Sequence, residues 1–356
     1  MKKIILTGGG TAGHVTPNIA LIPELKKRGY TLYYIGSKNG IEKKLIEECG
    51  IPYFGISSGK LRRYFDFKNF TDPVRILKGY AEARAIIKKI KPDIVFSKGG
   101  FVTVPVVVAA DRRKVPCVIH ESDMTPGLAN RICIPHAVKV CANFPETVKE
   151  ISGDKTIVTG TPIRKELFSG NKNAGLDYCG FTANKPVMLV IGGSLGASSV
   201  NTAVRAALPQ LLTRYQVIHL CGAGKLEPTL NETEGYAQFE YVKAELCNLF
   251  AAADIVVSRA GANAICELLA LKKPNILIPL PESVSRGDQI LNARSFEKQG
   301  YSVVLEEEEL TTYNLIKAVD NLYENRDEFI DAMSDNTKGD AVTQIADILD
   351  QNLKED

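Results

Sequence analysis

Short apolar runs alternate with longer amphipathic stretches along most of the chain. The apolar runs are rich in Val, Ile and Tyr and end in glycine or polar residues, as in KIILTGG, YTLYYIG, PDIVFSKGG and VPCVIHE. Between them lie stretches with helical character, such as NIALIPELKKRG and ILKGYAEARAIIKKI. Regular alternation of short strands and helices is typical of an α/β protein with a doubly wound parallel sheet.

The opening pattern of strand, glycine turn and helix occurs a second time, in PVMLVIGGSLGASSVNTAVRAALPQLL. Its first glycine, Gly192, follows Gly8 by 184 residues, about half of the chain. A second echo pairs PDIVFSKGGF with ADIVVSRAGA, and the two echoes come in the same order. This repeat predicts two Rossmann-like doubly wound domains that face each other across a cleft, rather than one large sheet.

The domain limits follow from the repeat. A stretch rich in glycine and asparagine, SGNKNAG, separates the two halves, and we place the first domain at 1–162 and the second at 163–338. The last segment, 339–356, predicts a helix with five apolar positions on one face, namely Val342, Ile345, Ala346, Leu349 and Leu353. We expect this helix to pack back on the N-terminal domain.

Composition narrows the class of protein only slightly. The chain is 45% hydrophobic and 24% charged with a net charge of +3, which is ordinary for a globular protein and too weakly basic to indicate nucleic acid. The eight cysteines show no CxxC spacing, which favours reduced thiols in a cytoplasmic protein over disulfides or a zinc site. We expect neither a membrane-spanning helix nor a signal peptide, because no apolar run has the required length or flanks.

Each predicted domain has a glycine turn after its first strand, where ligands bind in such sheets. Glycines let backbone N–H groups approach a phosphate closely, although a tight turn needs glycine for its conformation alone. Gly8, Gly10 and Gly13 fit the dinucleotide fingerprint GxGxxG, yet the second strand ends in YYIGS without the expected acidic residue. The pattern therefore favours a nucleotide-sugar site over a nicotinamide or flavin site.

Six segments occur in the order found in one known family: GGGTAGHV, SKGGFVTVP, HESDMTPGLANR, TGTPIR, GGSLGA and SRAGANAICE. On these segments the chain resembles, nearly end to end, the peripheral membrane N-acetylglucosaminyltransferases that complete lipid II in bacterial cell-wall synthesis. The resemblance implies a GT-B fold and the inverting transfer of GlcNAc from UDP-GlcNAc to the C4 hydroxyl of MurNAc in undecaprenyl-pyrophosphoryl-MurNAc-pentapeptide (lipid I). It also implies the cytoplasmic face of the cell membrane as location and cell-wall synthesis proteins as partners.

Such a transfer needs a base for the acceptor hydroxyl and donors for the leaving diphosphate. His14 follows a glycine turn at the start of a helix, whose positive end disfavours the imidazolium, so we predict a neutral ring that accepts a proton. Its role is either general base or positioning of the acceptor, and the alternative is a histidine that only hydrogen-bonds the turn. Glu121, in HESDMTPGLAN, is the second candidate base, and its alternative role is to cap the following turn. We expect His120 to be a packed histidine at the end of its strand.

The sequence has no DxD motif, so we expect no metal and no cofactor, with helix N-termini taking the leaving charge. The resemblance assigns Arg164 and Ser194 to the diphosphate, Glu267 to the ribose hydroxyls and Val242 to the uracil ring. The alternative is a surface arginine for Arg164, a helix cap for Ser194 and a solvated helix face for Glu267. The other predicted donor-site residues are Thr11, Ala12, Gly13, Ala262, Asn263, Ala264 and Gln289, with Asn292 a weaker candidate.

On the acceptor side, Gly99 and Gly100 either approach the lipid pyrophosphate or only close a strand turn. Asp123 stands where the family often has asparagine, and an acceptor contact is the role we consider for it. Residues 60–91 carry ten Lys and Arg against three Asp and Glu, with four aromatic residues near their start. We predict that this segment binds an anionic membrane surface; the alternative is a solvated basic helix.

Three other functions are compatible with this chain. A UDP-GlcNAc 2-epimerase would bind the same donor without a lipid acceptor, and a glycolipid synthase would use diacylglycerol as its acceptor. A nucleotide-binding scaffold without activity is the third. The GGGTAGH and HES segments favour the cell-wall acceptor over the second alternative.

Overall fold

The computed structural model describes residues 2–59, 68–151, 153–193, 196–335 and 340–354, with only the backbone described for 68–73. The chain forms two compact units, one of residues 1–164 and 338–356 and one of residues 165–337. Arg164 therefore belongs to the first unit, whereas the predicted limits placed it in the second. The segment before it stays with the first unit because the Thr159 N–H donates to the Ala142 carbonyl oxygen at 3.0 Å.

The first unit is built on one parallel sheet of seven strands in the order β3-β2-β1-β4-β5-β6-β7. Its strands are β1 (Lys3–Thr7), β2 (Thr31–Ser37), β3 (Tyr53–Ile56), β4 (Ile94–Ser97), β5 (Cys117–Glu121), β6 (Lys139–Ala142) and β7 (Thr156–Val158). The chain runs outward from β1 to β3 and then returns to place β4 beside β1. The topological switch point, where ligands bind in such sheets, thus lies between β1 and β4.

Helices cover both faces of this sheet. They are α1 (Thr16–Lys27), α2 (Ile41–Glu47), α3 (Lys68–Ile90), α4 (Thr103–Asp111), α5 (Leu128–Cys133), α6 (Thr147–Glu150) and, from the end of the chain, α14 (Ala341–Gln351). On one face, Val342, Ile345 and Leu349 of α14 are buried in the same apolar cluster as Ile4 and Leu6 of β1. Arg28, just after α1, makes ion pairs with Asp347 and Asp350 of α14 at 2.6 and 2.9 Å. The last helix is thus part of the first unit's core.

The second unit repeats this plan with a parallel six-stranded sheet in the order β10-β9-β8-β11-β12-β13. Its strands are β8 (Val187–Ile191), β9 (Gln216–Leu220), β10 (Tyr236–Phe239), β11 (Ile255–Ser258), β12 (Asn275–Leu277) and β13 (Ser302–Val304). Its helices are α7 (Lys172–Cys179), α8 (Ser198–Arg214), α9 (Leu246–Ala252), α10 (Ala262–Ala270), α11 (Asp288–Lys298), α12 (Thr312–Glu324) and α13 (Arg326–Ser334). The switch point lies between β8 and β11.

The sequence repeat has a direct structural meaning. The paired glycine turns follow β1 and β8, and the paired SKGG and SRAG segments follow β4 and β11, so each pair flanks the switch point of its own sheet. The prediction of two doubly wound parallel sheets is confirmed. The eight cysteines are all free thiols. Within the part of the chain that the structure describes, no helix combines the length and apolarity that crossing a bilayer requires.

Candidate functional site

In the first unit, two glycine loops pack backbone against backbone at the switch point. The Gly9 N–H donates to the Gly99 carbonyl oxygen at 3.3 Å. A Cβ atom added to Gly100 would lie 2.2 Å from the Gly9 carbonyl oxygen, and one added to Gly8 would lie 2.3 Å from that of His14. These loops therefore need glycine because their backbones approach too closely for a side chain.

His14 ends a short 3₁₀ turn, Ala12–His14, directly before α1, and its side chain is half-buried. Its Nδ1 lies 3.1 Å from the carbonyl oxygen of Lys98, just after β4. A carbonyl only accepts hydrogen bonds, so in the neutral ring Nδ1 carries the hydrogen and Nε2 carries the lone pair. The geometry thus presets the tautomer that a general base at Nε2 requires.

Glu121, at the end of β5, is buried and accepts four hydrogen bonds from the segment that follows it. Its Oε1 accepts from the N–H groups of Ser122 and Asp123 at 2.8 and 3.0 Å. Its Oε2 accepts from the Gly127 N–H at 3.0 Å and from Asn130 Nδ2 at 2.8 Å. This geometry favours the capping role over the role of base, because both oxygens are already engaged by donors.

Burial and then the Asp123 carboxylate raise the pKa of Glu121, while the hydrogen bonds from Asn130 and the backbone act in the opposite direction. His120, one residue earlier, is fully buried with Nε2 2.9 Å from the Gly160 carbonyl oxygen. Burial, followed by the nearby Lys98 charge, lowers the pKa of His120 well below its usual value. His120 is therefore a neutral, packed histidine at the end of its strand.

The sequence prediction missed two buried charged residues in the first unit. Glu42, on α2, is fully buried, and its carboxylate accepts from the Ser37 N–H at 2.8 Å and from the Gly10 N–H at 3.4 Å. Lys98 is also fully buried, and its Nζ donates to Ser122 Oγ. The sequence signal for Lys98 is its place directly after an apolar strand, whereas Glu42 lies in the first turn of α2, five residues after the end of β2, and has no such signal.

In the second unit, the GGSLGA turn runs from β8 into α8, and Ser194 lies outside the described residues. A Cβ added to Gly196 would lie 1.9 Å from the Cys221 carbonyl oxygen, so this turn packs tightly against the segment after β9. Lys225 of that segment donates from Nζ to the Gly196 carbonyl oxygen at 3.2 Å. The close packing explains why glycine is required at Gly196, whose φ is +67°.

The turn after β11 is held by the side chain of Arg259. Its Nη1 donates to the carbonyl oxygens of Ile278 and Pro279, both at 3.2 Å, and its Nη2 donates to Ser199 Oγ at 2.9 Å. It also forms an ion pair with Glu307. This buried arginine ties the carboxyl ends of β11 and β12 to the start of α8, a structural use that the sequence pattern did not indicate.

Helix α10 brings several predicted donor-site residues together. Ala262 begins the helix and is buried, and Asn263, Ala264 and Glu267 are half-buried. Because Glu267 is four residues after Asn263 and three after Ala264, these side chains share one helix face. A shared face is the arrangement that the predicted contacts with one ligand require.

The other predicted donor-site residues belong to other elements of the chain. Gln289, in α11, accepts a hydrogen bond from the Leu280 N–H at 3.1 Å through Oε1, so the predicted ligand contact would use its NH₂ group. Asn292 is fully buried, so a sugar contact does not fit it. Val242 is buried in the segment after β10. Thr11, Ala12, Gly13 and Arg164 belong to the first unit.

The described residues contain no group of three or more His, Cys, Asp or Glu side chains arranged to hold a metal ion.

Two family models match the chain: the glycosyltransferase family 28 N-terminal domain over residues 4–142 and the glycosyltransferase family 28 C-terminal domain over residues 187–351.

Curated relatives match the chain over almost its whole length. The UDP-N-acetylglucosamine--N-acetylmuramyl-(pentapeptide) pyrophosphoryl-undecaprenol N-acetylglucosamine transferase of Lachnoclostridium phytofermentans is 65% identical over 351 residues, which cover 99% of each chain. The same transferase of Lachnospira eligens is 60% identical over 354 residues, 99% of this chain and 100% of the relative. Among solved structures, Acinetobacter baumannii MurG superposes with a TM-score of 0.79 at 24% identity, covering 99% of this chain and 100% of that one.

Proposed function

Because this chain belongs to glycosyltransferase family 28, we infer that it transfers N-acetylglucosamine from UDP-GlcNAc to lipid I and so forms lipid II in peptidoglycan synthesis. The identity of 65% over 351 residues to a transferase named for this reaction carries the inference. In the transfer, the C4 hydroxyl oxygen of MurNAc bonds to the anomeric carbon of GlcNAc from the side opposite UDP. The bond to UDP breaks with its electron pair, the anomeric centre inverts, and the hydroxyl proton passes to a base.

His14 is the base in this proposal. Its support is the hydrogen bond between Nδ1 and the Lys98 carbonyl oxygen, which leaves the lone pair on Nε2. Glu121 organises the acceptor loop of residues 121–127, because its two oxygens accept four hydrogen bonds from that loop and from Asn130. Asp123, Gly99 and Gly100 contact the acceptor from loops that end at the same edge of the sheet as His14.

The second unit binds UDP-GlcNAc. Glu267 accepts hydrogen bonds from the ribose hydroxyls, with Ala262, Asn263 and Ala264 beside the nucleotide, and the Gln289 NH₂ group donates to the sugar. Ser194 donates to the diphosphate, and the Val242 backbone contacts the uracil. The shared face of Asn263, Ala264 and Glu267 on α10 supports this assignment. Backbone N–H groups at the starts of α8 and α10 stabilise the charge that develops on the leaving UDP.

The first unit also meets the membrane, from the cytoplasmic side. On α3, Val74 and Leu77 are 67% and 69% exposed beside the exposed cations Arg75 and Lys78, a combination suited to an anionic lipid surface. Residues 60–67 of the same basic segment lie outside the described residues. Changing Leu77 to Glu should lower binding to anionic vesicles, while transfer to a short-chain soluble acceptor is retained. Unchanged vesicle binding would remove this helix from the membrane contact.

The function is tested by incubating the protein with UDP-GlcNAc and a short-chain lipid I analogue, with EDTA present. Product formation that survives EDTA supports both the reaction and a site without a metal. His14→Ala should lower kcat by about 10²- to 10⁴-fold, the usual contribution of a general base. The matched control is His136→Ala. His136 Nδ1 lies 2.6 Å from Asp111 Oδ2, and His136 precedes β6, so it lies at the amino ends of the strands, opposite the carboxyl ends that carry the candidate site.

Two outcomes would contradict the proposal. Conversion of UDP-GlcNAc to UDP-ManNAc without an acceptor would identify an epimerase instead. Near-normal turnover by the His14→Ala enzyme would remove His14 from the chemistry, while leaving the overall reaction in place.

A further inference from the structure

Lys98 is a fully buried lysine directly after β4. Its N–H donates to the Thr7 carbonyl oxygen at 2.9 Å, which continues the pairing of β4 with β1, and its Nζ donates to Ser122 Oγ after β5. Lysine is almost never fully buried unless its charge is paired, since removing an ammonium from water costs free energy that an apolar side chain of similar length would not. The polar contacts of Lys98 therefore indicate a role beyond filling space.

The two ends of this residue contact the two candidate catalytic elements of the first unit. The Lys98 carbonyl oxygen lies 3.1 Å from His14 Nδ1. At the other end, Ser122 is the second residue of the acceptor loop. Its N–H donates to Glu121 Oε1 at 2.8 Å, and its carbonyl oxygen accepts from Asn143 Nδ2 at 3.0 Å. A displacement of the Lys98 ammonium would therefore move the acceptor loop through Ser122. A displacement of the Lys98 backbone would move the ring of His14.

We propose that Lys98 is a positioning residue for the transfer, whose buried ammonium holds the acceptor loop through Ser122 while its carbonyl fixes the orientation of His14. The proposal rests on the proposed function, because it assigns Lys98 a part in aligning the acceptor hydroxyl with the base. Reacting groups must be aligned closely, and a misplacement of about 1 Å can lower the rate on the order of 10²-fold. Lys98 itself touches neither substrate.

The surroundings of the lysine support this role. The Lys98 charge acts on the ring of His120, which stays neutral and hydrogen-bonds the Gly160 carbonyl oxygen at 2.9 Å. The loop after β4 also passes near Asn130, because a Cβ added to Gly99 would lie 3.4 Å from Asn130 Oδ1. Lys98 thus lies where the segments after β1, β4 and β5 converge.

The test is a double-mutant cycle of Lys98→Met and Ser122→Ala, read as separate kcat and KM values with UDP-GlcNAc and a short-chain lipid I analogue. Lys98→Met should lower kcat about tenfold to a hundredfold while KM for UDP-GlcNAc changes less than twofold. Ser122→Ala should lower kcat less than Lys98→Met does. The double variant should be no slower than Lys98→Met alone, because both substitutions remove the same contact between Lys98 Nζ and Ser122 Oγ.

The matched control is Lys273→Met, a lysine of the second unit whose Nζ donates to the Ala253 carbonyl oxygen at 2.7 Å. Ala253 precedes β11, so it lies at the amino ends of the strands, whereas the glycine turn lies at their carboxyl ends. This variant should keep the wild-type kcat within twofold. A purely structural loss would instead lower the activity of both Met variants in step with their melting temperatures.

Folded Lys98→Met enzyme with kcat within threefold of wild type would overturn the proposal, as would additive effects of the two substitutions. If Lys98→Met does not fold, Ser122→Ala decides, since it removes the same contact with a smaller change. If the wild-type protein makes no transfer product, the proposed function is wrong. The contact between Lys98 and Ser122 is then tested separately by NMR. Lys98→Met should then still shift the signals of the His14 ring and of the Ser122 and Gly127 amides, and unchanged signals would refute the role of Lys98.

Discussion

The contact between the two glycine loops of the first unit gives the sharpest prediction, tested by changing Gly100 to Ala. The added Cβ would lie 2.2 Å from the Gly9 carbonyl oxygen, whereas an ordinary contact begins near 3.4 Å, so the two backbones must separate by about 1.2 Å. The segment that carries Gly100 also carries the Lys98 carbonyl oxygen, which lies 3.1 Å from His14 Nδ1. A separation of that size breaks the hydrogen bond that sets the tautomer of His14.

The substitution should lower both the stability of the protein and its kcat, and the two effects can be measured separately. Gly100 has a φ of +91°, and an alanine held there costs about 1–3 kcal/mol of stability through backbone strain alone. The displacement of the loop should lower kcat on the order of 10²-fold in addition, because His14, the proposed base, and the acceptor hydroxyl lose their alignment. The measurements are urea unfolding for the first effect and transfer to a short-chain lipid I analogue for the second.

Gly29→Ala is the matched control for strain without displacement. Gly29 follows α1 with a φ of +82°, and among the described residues other than its chain neighbours no atom lies within 4 Å of the Cβ that would be added. This variant should lose about 1–3 kcal/mol of stability and keep kcat within twofold of wild type. If Gly100→Ala and Gly29→Ala retain the same kcat, the contact between the loops does not position the base and the reasoning is wrong.

Three further predictions concern other parts of the molecule. Burial, followed by the Arg205 charge, lowers the pKa of His219 from 6.5 to about 3, so the unfolded state binds the extra proton between these values. The second unit should therefore lose about 1.4 kcal/mol of stability per pH unit as the pH falls below 6.5, and urea unfolding of His219→Gln at pH 7 and pH 5 should show a shallower loss. Leu349→Ala in α14 should cost about 2–5 kcal/mol, against less than about 0.5 kcal/mol for the exposed Gln351→Ala, and equal midpoints in denaturant would contradict the packing of that helix. Glu121→Gln turns one acceptor into a donor opposite an N–H group, so stability should fall by about 1–3 kcal/mol, and an unchanged melting curve would contradict its role as a cap.

Much of the architecture was predictable because it depends on local patterns. Apolar runs that alternate with amphipathic stretches predicted parallel sheets, and the two echoes predicted that the plan occurs twice. The glycine turns were also predicted, since only glycine permits conformations such as the φ of +89° at Gly10. The six family segments indicated the reaction, which the relatives support.

The contacts within the candidate site were less predictable, because their partners lie far apart along the chain. His14 meets the Lys98 carbonyl oxygen across 84 positions, and Asn292 is buried although its amide resembled a sugar ligand in the sequence. Glu121 looked equally suited to be a base or a cap until its four donors were located.

By itself, the sequence determined the strands, the turns, the repeat and the family, since each depends on residues that are neighbours along the chain. Only the tertiary structure decided which nitrogen of His14 carries the hydrogen, which carboxylates are already engaged, and that Lys98 is buried. The physical reason is that a parallel sheet brings the carboxyl ends of distant strands to one edge. The hydrogen-bond partners of each side chain there are set by strand order and register, which no local pattern specifies.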